Sequence, residues 1–255
     1  MGDMTLDGRV ALVTGGNRGI GAAIARGLAV DGADLALCYR RDEQSAKATI
    51  AAVEALGRRA IAYQAPIDDV DAARSVTDAV LADFDTVDIL VHSAGIASKG
   101  MTVVDTDPDE IERLFKVHAL SAFVLCKHLV PQMRERGRGD IVLISSAATV
   151  YWGPNSSPYN IGKAALEALG RTLAKEERRH GIHVNVVAPG LVDTEMGRRL
   201  ARATRGAEDI HELDAGSPFG HVCSPDEVAD VVRFVVSDAA GYMTDQKIVV
   251  DGGSF

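Results

Sequence analysis

Apolar residues fall in seven short, nearly unbroken runs separated by longer amphipathic stretches. The runs are Arg9 to Thr14, Asp34 to Tyr39, Arg59 to Gln64, Val87 to His92, Asp140 to Ser145, Ile182 to Ala188 and Lys247 to Val250. They are rich in Val, Ile, Leu and Ala without polar alternation, the pattern of strands covered on both faces in a parallel sheet. Between them, Ile20 to Val30, Glu43 to Leu56, Asp69 to Asp83, Pro108 to Arg136, Ser157 to His180 and Pro225 to Ser237 carry helical periodicity, with Pro or Ser near several starts. The repeated βαβ pattern predicts a doubly wound α/β fold with helices on both faces of the sheet. Thr194 to Ser224 is the exception: Gly197, Gly206, Gly216, Pro218 and Gly220 stand among charged residues, in a connection longer than most. It reads as a mobile lid, about 194–224.

A length of 255 residues with 47% hydrophobic content fits one sizeable domain or two small ones. The absence of a Pro/Ser/Gly-rich linker favours one, spanning 1–255. A net charge of -9 argues against nucleic-acid binding, which needs a clustered basic surface. Cys38, Cys126 and Cys223 are odd in number and form no CxxC pair, so they read as reduced thiols in a reducing cytoplasm rather than disulfides or metal ligands. No metal is expected. Met1 to Asp7 lacks a cationic stretch followed by an apolar core, and no run of about 18 apolar residues occurs, so the chain reads as soluble, unprocessed and not membrane-bound.

Two clusters carry candidate chemistry. After the first strand comes Thr14-Gly15-Gly16-Asn17-Arg18-Gly19-Ile20-Gly21, where a strand turns into a helix whose first amides can bind a pyrophosphate. A glycine cluster alone also suits a plain tight turn; opening a βαβ unit, it favours a dinucleotide. At the end of the second strand, Cys38-Tyr39-Arg40-Arg41 places arginine where NAD-binding folds often place an acid for the ribose 2′-hydroxyl. With Arg18, these guanidiniums would attract a 2′-phosphate, which favours NADP(H) and leaves NAD(H) open. The competing reading is that Arg40 and Arg41 solvate a loop, neutralised by Asp42 and Glu43.

The second cluster is Ser146, Tyr159 and Lys163. Reducing a ketone leaves an alkoxide, which needs a proton donor and a hydrogen bond on the carbonyl oxygen. Tyr159 and Lys163 are four residues apart, on one helical face, and the lysine charge is expected to lower the phenol pKa from near 10. Ser146, at the carboxyl end of a central strand, reaches the same oxygen.

These motifs resemble those of the short-chain dehydrogenase/reductase family over almost the whole chain, and in particular those of its 3-oxoacyl-ACP reductase-like members. His92-Ser93-Ala94-Gly95 resembles the family's Asn-Asn-Ala-Gly, Pro189-Gly190-Leu191-Val192-Asp193-Thr194 the segment along the nicotinamide, and Asp251-Gly252-Gly253 the usual C-terminal ending. The resemblance implies a Rossmann-like seven-stranded fold and use of NAD(P). It also implies a homotetramer or homodimer with the last strand and two long helices at the interfaces. Tyr159 would be the general acid of reduction and base of oxidation, Ser146 would orient the carbonyl, and Lys163 would also hold the nicotinamide ribose. Ser93, Ala94, Gly95, Pro189, Gly190, Val192 and Thr194 would bind the cofactor, the last four along its nicotinamide end, with Thr194 bonding the carboxamide or a phosphate.

The chain departs from the family in four places. His118 stands where an asparagine supports a water chain to the lysine; it can replace that relay by titrating near neutrality, or be inert. His92-Ser93 replaces Asn-Asn. Pro66 stands at the adenine-binding aspartate, with Ile67, Asp68 and Asp69 following, of which Ile67 and Asp68 are taken as cofactor contacts. His221 replaces an arginine after Pro218-Phe219-Gly220.

The expected activity is an NADP(H)-preferring reduction of a ketone or 3-oxoacyl group. The alternatives are an NAD-dependent dehydrogenase of a sugar, sterol or other secondary alcohol, and a non-catalytic dinucleotide-binding regulator, against which the intact acid/base set weighs. Ile96, Tyr151, Trp152, Asn155, Ser156 and Met196 are candidates to line the substrate pocket, and Phe255 to reach a neighbouring subunit.

Overall fold

Seven parallel strands form one sheet in the order β3-β2-β1-β4-β5-β6-β7. They are β1 (Val10–Thr14), β2 (Asp34–Tyr39), β3 (Ala60–Gln64), β4 (Ile89–His92), β5 (Gly139–Ile144), β6 (Ile182–Pro189) and β7 (Lys247–Val250). The computed structural model describes residues 5–254, so Phe255 lies outside the described residues, as does the start of the N-terminal segment. The strand order reverses between β1 and β4, and ligands of open α/β sheets bind in the crevice outside the strand carboxyl ends at such a point.

Alternate residues of β1 to β6 enter two separate cores, which is why these runs are apolar without alternation. Leu12, Ala36, Leu90, Ile141 and Leu143 pack on one face. There they meet α3 (Val70–Phe84), α5 (Ser121–Arg136) and α7 (Ser157–Glu177), through Phe84, Leu125, Leu129, Met133 and Leu166. Ala11, Val13, Leu35, Leu37, Ile89 and Val91 pack on the other. They meet α1 (Gly19–Val30), α2 (Glu43–Glu54) and α9 (Pro225–Val236), through Ile24, Leu28, Val53, Val228 and Val232. Each Val, Leu, Ile, Phe or Met side chain taken from water contributes about 1.5–3 kcal/mol.

The expected helix Pro108 to Arg136 is interrupted. It consists of α4 (Pro108–Phe115), a π turn at Lys116–Leu120, and α5. π turns are rare insertions that concentrate at functional sites, and this one carries His118. By length and mean hydropathy (1.3) the 29-residue run is apolar enough to cross a membrane, but 61% of its most apolar window is buried against the rest of the fold. Burial accounts for its apolarity.

The stretch expected as a mobile lid carries secondary structure of its own. It holds α8 (Glu195–Arg205) and 3-10 turns at Ile210–Gly216 and Pro218–Gly220. Thr194 caps α8 by accepting from Gly197 N at 3.0 Å, and Asp209 with Glu212 forms a capping box. Ala201, Ala207, Ile210 and Val222 close a small apolar cluster of its own. The remaining helix, α6 (Ala148–Tyr151), is a single turn between β5 and α7.

Candidate active site

The turn between β1 and α1 is built so that only glycine fits. Gly15 (φ +64°) and Gly19 (φ +53°) lie in the left-handed region. A Cβ on Gly21 would stand 2.2 Å from Gly15 O, and one on Gly15 would stand 3.0 Å from Ala94 Cα. Arg18, at the helix start, is extended and its side chain makes no capping bond, so the first amides of α1 await an acceptor. This tight, donor-rich cradle fits a dinucleotide pyrophosphate. Gly21→Ala is therefore expected to weaken dinucleotide binding about tenfold or more, a loss of at least about 1.4 kcal/mol. A fluorescence titration giving an unchanged Kd would contradict this.

Thr14, which the sequence reading left without a role, ties this turn to the next strand. Its hydroxyl accepts from Ser93 N (3.2 Å) and Ala94 N (3.1 Å) and lies 3.1 Å from His92 Nδ1. His92 is fully buried, with Nε2 3.4 Å from Ser121 Oγ. Burial first, and the Lys163 charge second, push its pKa down to about 3, so it stays neutral.

At the adenosine end, Arg40 and Arg41 are exposed and Arg40 pairs with Asp68 at 3.6 Å. Arg18 pairs with Glu195 at the start of α8. Asp42 and Glu43, which the competing reading offers as neutralising partners, bond elsewhere: Asp42 accepts from Ser45 N and Oγ, and Glu43 pairs with Lys47 at 2.8 Å. Asn17 Nδ2 donates to Asp42 O at 3.4 Å, closing the turn onto the start of α2. Ile67 is buried, and Asp69 is committed to capping α3 through Ala72 N at 2.9 Å. Of the two aspartates after Pro66, only Asp68 faces the arginines.

Ser146, Tyr159 and Lys163 come together at the carboxyl end of β5. Ser146 follows β5 by two residues, and its Oγ accepts from Ala148 N at 3.2 Å. Lys163 is 4% exposed and donates from Nζ to Ile144 O at 2.8 Å. Its Nζ lies 5.8 Å from the centre of the Tyr159 ring. Burial lowers the lysine to about 8, opposed by the charge of Glu167. Contrary to expectation, the Tyr159 pKa is raised: burial outweighs the Ser146 hydrogen bond, which pulls the other way. Enclosure of the phenol, not the i,i+4 lysine, dominates.

His118 is also fully buried, packed edge-on to Tyr159 with ring centres 5.2 Å apart. Its Nε2 lies 3.1 Å from Ile96 N and 3.0 Å from Ile96 O, and its Nδ1 is buried without a partner among the described residues. Burial, reinforced by Lys163, pushes its pKa down to about 2. It therefore does not titrate near neutrality as the sequence suggested; through Nε2 it holds the Ile96 segment instead. A Cβ on Gly95 would sit 3.5 Å from Lys163 Nζ and 3.6 Å from His118 Nε2, so Gly95 lies directly over the pair.

At the far wall, Gly190 N donates to Val250 O at 2.9 Å, and Pro189 O accepts from Ala147 N at 2.8 Å. Val192 is buried and bridges to Cys223, while the Thr194 hydroxyl is occupied by the α8 cap. Tyr151, Trp152 and Asn155 are exposed around the mouth, with Ile96, Ser156 and Met196 partly buried. His221 lies 2.8 Å from Glu227, which joins Ser224 in the capping box of α9. Its raised pKa follows from that bond. Glu167, one helical turn beyond Lys163, joins the site without having stood out in the sequence, although its spacing was visible there.

The sequence model of the family described as enoyl-(acyl carrier protein) reductase matches residues 15–254. The chain is 38% identical to a versicolorin reductase of Emericella nidulans, over 98% of this chain and 97% of that protein. It is 33% identical to a 3-oxoacyl-[acyl-carrier-protein] reductase of Synechocystis, over 97% of each. Among solved structures, a short chain dehydrogenase from Burkholderia cenocepacia in complex with NADP superposes with a TM-score of 0.87 at 36% identity, covering 97% of this chain and 98% of that one.

Proposed function

The chain belongs to the short-chain dehydrogenase/reductase family of NAD(P)-dependent oxidoreductases, and on that premise we propose that it reduces a ketone or 3-oxoacyl group to a secondary alcohol with NADPH. The observation that carries this reading is the convergence of Ser146, Tyr159 and Lys163 beside the glycine cradle. The cofactor, when bound, supplies the hydride; everything else falls to the protein. Ser146 donates to the carbonyl oxygen, and Tyr159 gives that oxygen its proton as it becomes an alkoxide. The raised pKa keeps the phenol protonated and ready for this step at neutral pH. Lys163, held by Ile144 O, sets a positive charge beside the phenolate left behind and would hold the nicotinamide ribose hydroxyls. Reductases among the relatives, including one of 3-oxoacyl groups, support the direction and the substrate class.

The preference for NADPH rests on Arg18, Arg40 and Arg41. Arg18 and Arg40 are anchored to Glu195 and Asp68, and their side chains remain 56% and 42% exposed at the mouth of the adenosine site. A 2′-phosphate carries more negative charge than either carboxylate and offers a bidentate match to a guanidinium. The NADP bound to the Burkholderia relative agrees with this assignment. Arg40→Ala and Arg18→Ala are each expected to lower kcat/KM for NADPH about tenfold, since one charge-assisted bond is worth roughly 1.5–3 kcal/mol, and to leave NADH nearly unchanged. Steady-state rates with both cofactors check this. A clear preference of the unmodified enzyme for NADH would defeat the assignment.

A further inference from the structure

Glu167 sits on α7 one turn beyond Lys163 and two beyond Tyr159, with its side chain 14% exposed. Its carboxylate accepts from Ser145 Oγ at 2.6 Å, from Thr149 Oγ1 at 2.5 Å and from Lys247 Nζ at 3.0 Å. Lys247, on edge strand β7, also donates to Thr149 Oγ1 at 2.7 Å, and Thr149 Oγ1 lies 2.7 Å from Ser146 O. Ser145 and Thr149 therefore bracket Ser146, and both are fastened to the same carboxylate. Such a mostly buried ion pair is weak as a stabiliser, because desolvation offsets its attraction and apolar residues would fill the space as well. A geometric and electrostatic role accounts for it better.

We propose that Glu167 is a positioning residue for the reduction, one that fixes the turn carrying Ser146 and supplies the counter-charge to Lys163, with Lys247 setting how much of that charge is felt. This rests on the acid/base reading given under the proposed function. The groups facing Lys163 are His92 from β4, His118 from the π turn, Tyr159 and Glu167 from α7, and Ile144 O at the end of β5. Both histidines are held neutral by burial, which leaves Glu167 as the anion of this set. With the Ser146 Oγ accepting from Ala148 N, its proton is free to point at Tyr159, and that orientation depends on the same turn.

The test needs no known substrate. Protein carrying 13C-labelled lysine side chains is titrated by NMR, with the Lys163 signal identified by its loss in Lys163→Met. In the unmodified protein Lys163 should titrate near 8. Glu167→Gln should move that midpoint down by about one pH unit or more, and Lys247→Met, which bares the carboxylate, should move it up. Where a substrate is in hand, the alkaline limb of kcat/KM should follow the same two opposite displacements, Glu167→Gln should lower kcat with little change in NADPH Kd, and Glu167→Asp should recover part of the loss. If Glu167→Gln does not fold, the upward displacement in Lys247→Met decides alone. Unmoved Lys163 midpoints in the folded variants, or loss of activity that only tracks loss of folded protein, would overturn the proposal. Absence of any Tyr159-dependent turnover, with the midpoints displaced as expected, would instead count against the functional reading.

Discussion

Tyr159→Phe is expected to lower turnover by on the order of 10²–10⁴-fold, the range for loss of a positioned general acid, while NADPH binding and thermal stability stay close to those of the unmodified protein. The expectation is specific because phenylalanine keeps the ring that packs edge-on against His118 and removes only the hydroxyl. That hydroxyl bonds Ser146 and carries the proton the product alkoxide needs. Without it, water must supply the proton in a partly enclosed site, and kcat falls more than KM rises. A fall shared equally with Kd for NADPH would mean that the phenol chiefly holds the cofactor.

Acid is expected to unfold the protein more steeply than its carboxylates alone would require. His92 and His118 are fully buried with pKa values of about 3 and about 2, both below the 6.5 of an unfolded histidine. Between those values the unfolded chain takes up protons that the folded chain refuses. The stabilisation is thus complete above about pH 6.5 and is lost as pH falls below it, at about 1.4 kcal/mol per pH unit for each histidine. At pH 5 the two together remove about 4 kcal/mol, a large part of an ordinary domain's 5–15 kcal/mol. Urea unfolding at pH 7 and pH 5 reads this directly. Asparagine at both positions should make the pH dependence shallower, whatever it does to stability at pH 7. Parallel dependences in the two proteins would show that the histidines are charged or solvated in the fold.

The sheet was legible because strands buried on both faces need no alternation, and Leu12 and Val13 could be read as inward residues without knowing which core each enters. Strand ends moved by a residue or two, since they are set by pairing such as Gly139 with Ile182 rather than by hydropathy. The π turn at Lys116–Leu120 was hidden because a single inserted residue leaves the amphipathic period of the helix on either side of it readable. Helix α8 was hidden for the opposite reason: Glu195, Arg198, Arg199 and Arg202 swamp a narrow buried face of Gly197 and Ala201. Thr194 before it and Gly206 after it were nonetheless the cap signals of a helix.

In the site, Ser146, Tyr159 and Lys163 were legible from spacing and strand position. The sign of the Tyr159 displacement was not, because it depends on how completely the fold encloses the phenol. The same holds for His118, read as able to titrate near neutrality until burial and Lys163 were seen to keep it neutral. Ion partners were the least legible. Arg18 meets Glu195 across 177 positions of sequence, and Lys247 meets Glu167 across 80. The pairing of β6 with β5 and of β7 with β6 carries Lys247 to the side of Glu167.

The central claim is that this chain moves hydride from NADPH to a carbonyl carbon with Tyr159 supplying the proton. The most direct measurement is NADPH consumption, followed by absorbance, over a panel of 3-oxoacyl thioesters, sugars, steroids and small ketones, with the unmodified protein and Tyr159→Phe run side by side. The predicted result is turnover of at least one ketone class, faster with NADPH than with NADH and abolished to within about 1% by the substitution. Equal consumption by both proteins, or none by either across the panel while NADPH binds normally, would contradict it.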